Sequence, residues 1–313
     1  LTAKETKAET EGDWEFSYRY GSGVSIDAYN GTDENVVVPE KLGGKDVVAI
    51  GYNAFSGNET VKTVKLPSSV TSIGDGAFSG CTSLETIEIS ETVESMEISS
   101  FTGTKWLENN LVDGKYLIVN NIMYDAQNLN DDVVIPEGVK KIKTSTFYAT
   151  SLHSISFPAS VEEIIFDSPW EYPPENLYEI SVDSDNKNYS SYDGCLYSKD
   201  KKTLYWCPRL KESVSVYPET TQIAEHAFFY CDKLKYVDIR KVTQLEWATF
   251  YNCSELTTIT VPDNFEGMKD FVFERCNKFT TIKLSGNSGK DVIYKGCLYN
   301  KDKTKLIMVP VAK

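Results

Sequence analysis

Seven cysteines and two histidines are the residues of this 313-residue chain whose types could do nucleophilic or metal chemistry. Their spacing argues against both uses. Cys81, Cys231, Cys253 and Cys276 each stand three residues after a phenylalanine, Phe78, Phe228, Phe250 and Phe273. Cys195 and Cys297 share the setting G-C-L-Y, and Cys207 stands alone in Y-W-C-P-R. No C-x-x-C pair and no Cys/His cluster at ligand spacing occurs, so a zinc site is not expected. His153 follows a leucine and His226 precedes Ala227-Phe228, and both read as outward-pointing surface positions. The chain has no G-x-S-x-G, Walker-type or dinucleotide-binding glycine pattern. "DSDNKNYSSYDG", from Asp183, opens like a calcium loop, but Lys187 fills its fifth place and Gly194 its twelfth, where a bidentate Glu is required. The expectation is therefore no enzyme, no cofactor, no bound metal, and buried, reduced thiols.

Composition bounds the remaining classes. Hydrophobic residues make up 41% and aromatics 12%, enough for a folded core. A formal charge of −14 opposes binding to nucleic acid or to an anionic membrane surface. No apolar run is long enough to span a bilayer, so no transmembrane segment is expected in this chain. The opening "TAKETKAETEGD" reads as a flexible tether over residues 1–13, left after a signal segment was removed or not cloned, and the residues present do not themselves show export.

The elements that hold these residues follow from a repeat. Phe55, Phe78, Phe101, Phe147, Phe228, Phe250 and Phe273 head equivalent segments, and four of the six successive gaps are 22 or 23 residues. Five residues before each Phe stands Ile50, Ile73, Met96, Ile142, Ile223, Leu245 or Met268. Downstream, L-x-x-I-x-L recurs, as in Leu84-Ile87-Ile89 and Leu256-Ile259-Val261. Such a period indicates a leucine-rich-repeat solenoid, in which inward positions are fixed by the coils on both sides and outward ones are free. The segments 61–66, 84–89, 152–157, 177–182, 234–239, 256–261 and 279–284 are expected to form one parallel sheet, in that order. A degenerate eighth unit begins at Val161-Ile164, where "FDSPWEYPPEN" replaces the usual Phe segment.

The unit "SVTSIGDGAFSGCTSLETIEI" closely resembles the BspA-like leucine-rich repeats of bacterial cell-surface proteins, over roughly residues 35–284. The expected fold is mainly β, α/β by the leucine-rich-repeat convention: a single right-handed superhelix of about 7–8 repeats with inserted and capping β-hairpins. "WEFSYRY-GSG-VSIDAYNG" alternates on both sides of a turn and reads as a hairpin cap over 14–34. "GCLYSKDKKTL" at Gly194 returns as "GCLYNKDKTKL" at Gly296, and "NIMYDAQN" at Asn121 is a looser copy. Each reads as a hairpin, giving a solenoid over 35–284 with insertions near 103–132 and 183–213 and a C-terminal cap over 285–313.

What remains is binding. The outward strand positions form two polar columns, and Tyr236 beside Asp238 is the one place where an aromatic anchor stands next to a charge. The candidate contact surface is Tyr236 and Asp238 with Glu179 and Ser181 on one side and Thr258 and Thr260 on the other. Thr also suits any exposed parallel sheet, so a ligand track and plain β propensity both account for the columns. A second candidate is Trp170 with Tyr172 in "SPWEYPP", read either as a sticky patch or as core replacing the missing Phe. The resemblance implies a non-catalytic protein, secreted or anchored at the bacterial surface, that adheres to host matrix proteins such as fibronectin and fibrinogen or to other bacteria. The alternative is a structural spacer or assembly module of the cell envelope, and the remote one an enzyme with an unrecognised site.

Overall fold

The structure is a computed structural model that describes residues 8–19, 23–126, 129–147, 150–167, 173–286 and 289–311. The chain divides into two compact units, Leu1–Gln127 and Asn128–Lys313, so the boundary falls inside the first expected insertion. Trp170 and Tyr172 lie outside the described residues.

Among the described residues the first unit opens with a strand at Glu9–Glu11, within the span expected to be a tether. This strand pairs antiparallel with Trp14–Arg19, Glu9 opposite Phe16 and Glu11 opposite Trp14. Trp14–Arg19 pairs in turn with Gly23–Tyr29, the expected hairpin. Gly23–Tyr29 then runs parallel to Lys45–Ile50, which is parallel to Ser72–Ile73. These strands form one wall of the coils. The other wall is a second parallel ladder, Asn35–Val37, Thr63–Lys65 and Thr86–Glu88, with Val36, Val64 and Ile87 aligned and buried. Short strands suffice because every coil repeats the pairing, so each backbone N–H finds a carbonyl one coil away. After Phe101 the coil gives way to a short helix, Lys105–Asn110, capped by Thr104 Oγ1, which accepts from the Leu107 N–H. The hairpin Tyr116–Val119 with Ile122–Ala126 follows it.

The second unit repeats the plan. One ladder joins Asn130–Val134, Ser151–Phe157 and Glu179–Val182; another joins Ser213–Ser215, Tyr236–Asp238, Thr258–Pro262 and Thr281–Ser285. All these pairings are parallel, as expected from sequence, but the strands do not form one sheet. Ser213–Ser215 takes the place beside Tyr236–Asp238 that was expected for 177–182. The physical reason is the hairpin inserted after Val182. Its Gly194 carbonyl accepts the Ile180 N–H and its Ser191 hydroxyl accepts the Val182 N–H, which consumes donors of that strand. The inserted hairpin, Tyr189–Tyr192 with Cys195–Ser198, continues to Thr203–Trp206, which pairs parallel with Gln222–Ile223.

The repeat phenylalanines form the core columns. Phe55, Phe78 and Phe101 stack in the first unit at centroid distances of 4.8 and 5.7 Å. Phe228, Phe250 and Phe273 stack in the second at 4.7 and 5.5 Å. Burial of each ring contributes about 2–3 kcal/mol. On the surface, Lys–Glu pairs join successive coils, as at Lys235–Glu212 and Lys278–Glu255, but both partners stay solvated and each pair contributes little.

Candidate functional site

The cysteines that opened the chemical question are structural. In the corner after each Phe, the residue three further on offers a donor to the backbone. Cys81 Sγ donates to the Phe55 carbonyl at 3.0 Å, Cys253 Sγ to that of Phe228 at 3.1 Å, and Cys276 Sγ to that of Phe250 at 3.0 Å. Asn58 and Thr104 fill the same place elsewhere, with Asn58 Nδ2 on the Gly31 carbonyl and Thr104 Oγ1 on that of Phe101. A small donor is what the site selects, and Cys supplies one without a strongly hydrated group. All seven thiols are free, and Cys297 alone is not buried. Burial pushes the Cys81 thiol up to about 11. It raises Cys207, which lies beside Cys195 and Cys231, and Cys253, beside Cys276, well above the ordinary range. These are protonated, unreactive thiols. Among the described residues no group of three or more His, Cys, Asp or Glu is placed to hold a metal ion.

The sequence-derived contact face is only partly assembled. Tyr236 stands level with Ser213 and Thr258, and its hydroxyl is 3.2 Å from Thr260 Oγ1. Asp238 Oδ1 accepts the Arg240 N–H at 3.0 Å, and Arg240 Nε is 3.6 Å from its other oxygen. Glu179 and Ser181 belong to a different sheet, level with Ser154 and Ser156, so they do not flank Tyr236 as expected. Tyr236 is half-buried and Thr260 buried, so the anchor lies along the sheet instead of standing off it.

A second surface was not anticipated. In the corners at Phe55, Phe78, Phe228 and Phe250 the N–H groups of the Phe and of the residue two after it donate to the next coil, as from Phe228 to Thr249 and from Tyr230 to Tyr251. The chain achieves this by turning through positive φ two residues before and two after the Phe. In the second unit these positions are His226 (φ 59) and Tyr230 (59), Ala248 (49) and Asn252 (57), Phe271 (59) and Arg275 (63). Together with Phe229, Trp247 and Tyr251 they make an aromatic corner. His226 meets Trp247 edge-on at 4.8 Å, Trp247 meets Phe271 at 5.8 Å, and Phe229 stacks on Tyr251 at 5.2 Å. The Arg275 guanidinium lies 5.5 Å from the Tyr251 ring centre and that of Arg209 lies 5.8 Å from Tyr230. His226, read from sequence as outward, is half-buried here, and desolvation lowers its pKa, opposed by Glu225. A small cleft adjoins this corner, lined by Phe166, Tyr205, Trp206, Glu225, His226 and Phe229 among others. Aromatic letters near Phe228 and Phe250 were the available signal; their left-handed backbone was not readable.

Coils of this length, closed by L-x-x-I-x-L strands and a stacked Phe column, define a leucine-rich-repeat solenoid. The family model described as a BspA type leucine rich repeat region matches residues 48–168 and 200–311 with 6 copies, more than half of the chain. The chain belongs to that family. Among solved structures, a leucine-rich repeat protein of Eubacterium ventriosum is 24% identical, with a TM-score of 0.47 over 88% of this chain and 71% of that one. A leucine rich cell surface protein of Faecalibacterium prausnitzii is 20% identical, with a TM-score of 0.37 over 92% and 97%. The pneumococcal vaccine antigen PcpA is 18% identical, with a TM-score of 0.42 over 91% and 83%. None of the curated proteins matches the sequence. Among the described residues no helix is long and apolar enough to cross a membrane.

Proposed function

We propose that this is a non-catalytic repeat protein of the bacterial surface that acts as an adhesin, holding a protein ligand against the aromatic corner of its second unit. The ligand is a host matrix protein, such as fibronectin or fibrinogen, or a surface protein of another bacterium. The reading rests on one observation. His226, Tyr230, Phe271 and Arg275 occupy left-handed positions that a glycine would fill without strain. Retaining large side chains there costs stability, and these are the types that dominate interface energetics. The family resemblance points the same way, toward display and adhesion.

The test is binding of the intact protein to immobilised fibronectin, fibrinogen and whole bacterial cells by biolayer interferometry. Replacing Trp247 and Phe271 together by Ala is expected to weaken the measured interaction about tenfold or more, with circular dichroism showing that the variant is still folded. The strand face is the competing contact. If Tyr236→Ala with Asp238→Ala abolishes binding and the corner pair leaves it unchanged, the corner reading fails and the strand face replaces it. Binding to none of the three surfaces removes the adhesin reading.

A further inference from the structure

The outer wall of the second unit is broken at an internal joint. Gln222–Ile223 pairs with Thr203–Trp206 on one side, Gln244–Leu245 pairs with Gly267–Met268 on the other, and the two halves belong to separate sheets. At the joints on either side the wall is stitched by the same two bonds. The Thr221 and Ala224 N–H groups donate to the Lys202 and Leu204 carbonyls at 2.9 Å. Those of Glu266 and Lys269 donate to the Thr243 and Leu245 carbonyls at 2.8 and 2.9 Å. At the joint between, the equivalent groups are the Thr243 and Glu246 N–H and the Thr221 and Ile223 carbonyls. Among the described residues none of the four makes a hydrogen bond. The same two coils are closed elsewhere, since Ser213–Ser215 pairs with Tyr236–Asp238 and the Phe228 N–H reaches the Thr249 carbonyl at 3.0 Å. The cause is a missing residue. On the wall, Ile73, Met96, Ile223 and Met268 stand nine residues after Val64, Ile87, Val214 and Ile259 of the inner strands, but Leu245 stands eight after Val237. Pro67, Pro218 and Pro262 occupy this link in three of the longer coils, and the link after Val237 has no proline. The shorter link holds Thr243–Glu246 out of register with the coil before it. The result is a cleft of about 440 Å³, lined by Thr203, Thr221, Gln222, Thr243, Gln244 and Glu246 among others. That volume lies within the range of small-molecule sites.

We propose that this cleft binds a neutral saccharide. The balance of donors and acceptors selects that ligand. Two backbone N–H groups stand against two carbonyls, and the Thr hydroxyls and Gln amides each donate and accept. Of these Thr and Gln side chains, among the described residues, only Thr203 and Gln222 bond each other, at 3.1 Å. A metal ion would face the two N–H donors. An anion would face the two carbonyls and the Glu246 carboxylate, whose partner Lys269 Nζ is 3.6 Å away. An added peptide strand needs about 9–10 Å between its neighbours, twice the spacing at which the inner strands and the corner hold these coils. A hydroxyl donates and accepts at once, and a saccharide presents several of them along one edge, which matches the mixture. The cleft shares no residue with the contact surface proposed at the aromatic corner, so failure of either leaves the other standing.

Amide-resolved NMR on the full chain tests the seam and the ligand separately. In hydrogen exchange, the Thr243 and Glu246 amides should exchange about a hundredfold or more faster than those of Glu266 and Lys269. Titration with cellotriose, maltotriose and triacetylchitotriose should shift the Thr243 and Glu246 resonances with at least one of the three. The dissociation constant should be about 1 mM, as suits a few hydrogen bonds without an aromatic platform. Glycerol at the same hydroxyl concentration should leave both resonances in place. Gln222→Ala with Gln244→Ala should weaken the binding about tenfold. Insertion of one proline after Ile239 restores the nine-residue link, so it should protect both amides and abolish the shifts. Circular dichroism establishes that each variant is folded. Slow exchange at Thr243 and Glu246 in the parent chain overturns the seam and the site with it. Fast exchange without a shift up to about 20 mM of any of the three sugars means that the cleft holds water only, and overturns the ligand. Shifts that survive both the proline insertion and the Gln pair place the sugar elsewhere and overturn it as well.

Discussion

The corners of the two units meet the same backbone demand with different residues. In the first unit the left-handed positions around Phe55, Phe78 and Phe101 hold Asn53, Gly57, Gly76, Gly80 and Gly103. In the second unit, around Phe228, Phe250 and Phe273, no glycine is used at all. A left-handed residue with a Cβ costs roughly 1–2 kcal/mol, so the second unit stores several times that in its corners. The coil-to-coil hydrogen bonds are the same in both, for example Phe78 to Ser100 and Phe250 to Val272. Fold alone therefore does not select His, Tyr, Phe and Arg at these places. The difference separates a corner turned mostly on glycine from one that carries large side chains against the preference of their backbone.

The largest effect should fall on what the units share. Phe78→Ala and Phe250→Ala each remove the middle ring of a stacked column, and each should cost about 3–5 kcal/mol by urea denaturation. Equal losses support a common core beneath unlike corners. A loss in one unit that exceeds the other by more than about 2 kcal/mol would mean that the cores differ as well, and the comparison of corners would lose its baseline.

Core columns of this kind were legible in sequence because neighbouring coils constrain the same positions twice. Val64, Ile87, Ile155, Ile180, Val237, Ile259 and Ile282, all expected inside, are buried. Three inner strands, Asn35–Val37, Asn130–Val134 and Ser213–Ser215, were missed because they lack the leading Leu of the template. Their own signal was present. Val36-x-Val38-Pro39-Glu40, Val133-x-Ile135-Pro136-Glu137 and Val214-x-Val216-Tyr217-Pro218-Glu219 are one motif, each buried at its aliphatic positions. Residues 1–13 read as a tether because "ETE" carries no apolar alternation, yet an edge strand needs only one partner. The aromatic corner was unreadable for a different reason. Sequence gives side-chain type, but the positive φ that makes a Phe or Tyr costly is a property of the backbone.

Thiol chemistry should show a smaller difference. Cys81 stands beneath the first corner, whereas Cys195, Cys207, Cys231, Cys253 and Cys276 share one core cluster in the second unit. A thiol whose folded pKa is raised keeps its proton more tightly in the folded state. The stability it contributes is complete below the unfolded value near 8.5 and is lost as pH rises through the folded value. For Cys81 that window runs from about pH 8.5 to about 11. The urea midpoint should fall across it, and Cys81→Ser should flatten the fall. At pH 8 in native conditions, Cys297 should alkylate first and the buried thiols about a hundredfold more slowly. A first unit insensitive to pH up to 11 would show that burial does not hold the Cys81 proton.

The smallest effect bears most directly on the corners. Gly80 turns at φ 74, and a Cβ there would meet Gly57 Cα at 3.5 Å, an ordinary contact, so Gly80→Ala should lose only the conformational term, about 1–2 kcal/mol. Phe271 is the converse case, at φ 59 and 53% exposed, with its ring meeting Trp247 edge-on. Phe271→Gly relieves a strain of similar size and gives up part of one aromatic contact, worth about 0.5–1.5 kcal/mol, together with the unfolded-chain entropy that glycine adds. These terms nearly cancel, so the melting temperature should stay within a few degrees or rise. Phe271→Ala keeps the strain and loses the same contact, so it should be the less stable of the two variants. That ordering, Gly above Ala, is the signature of a side chain carried against the preference of its own backbone. The reverse ordering, or a loss above about 2 kcal/mol in Phe271→Gly, would make the aromatic corner part of the scaffold and leave the strand face around Tyr236 as the surface to pursue.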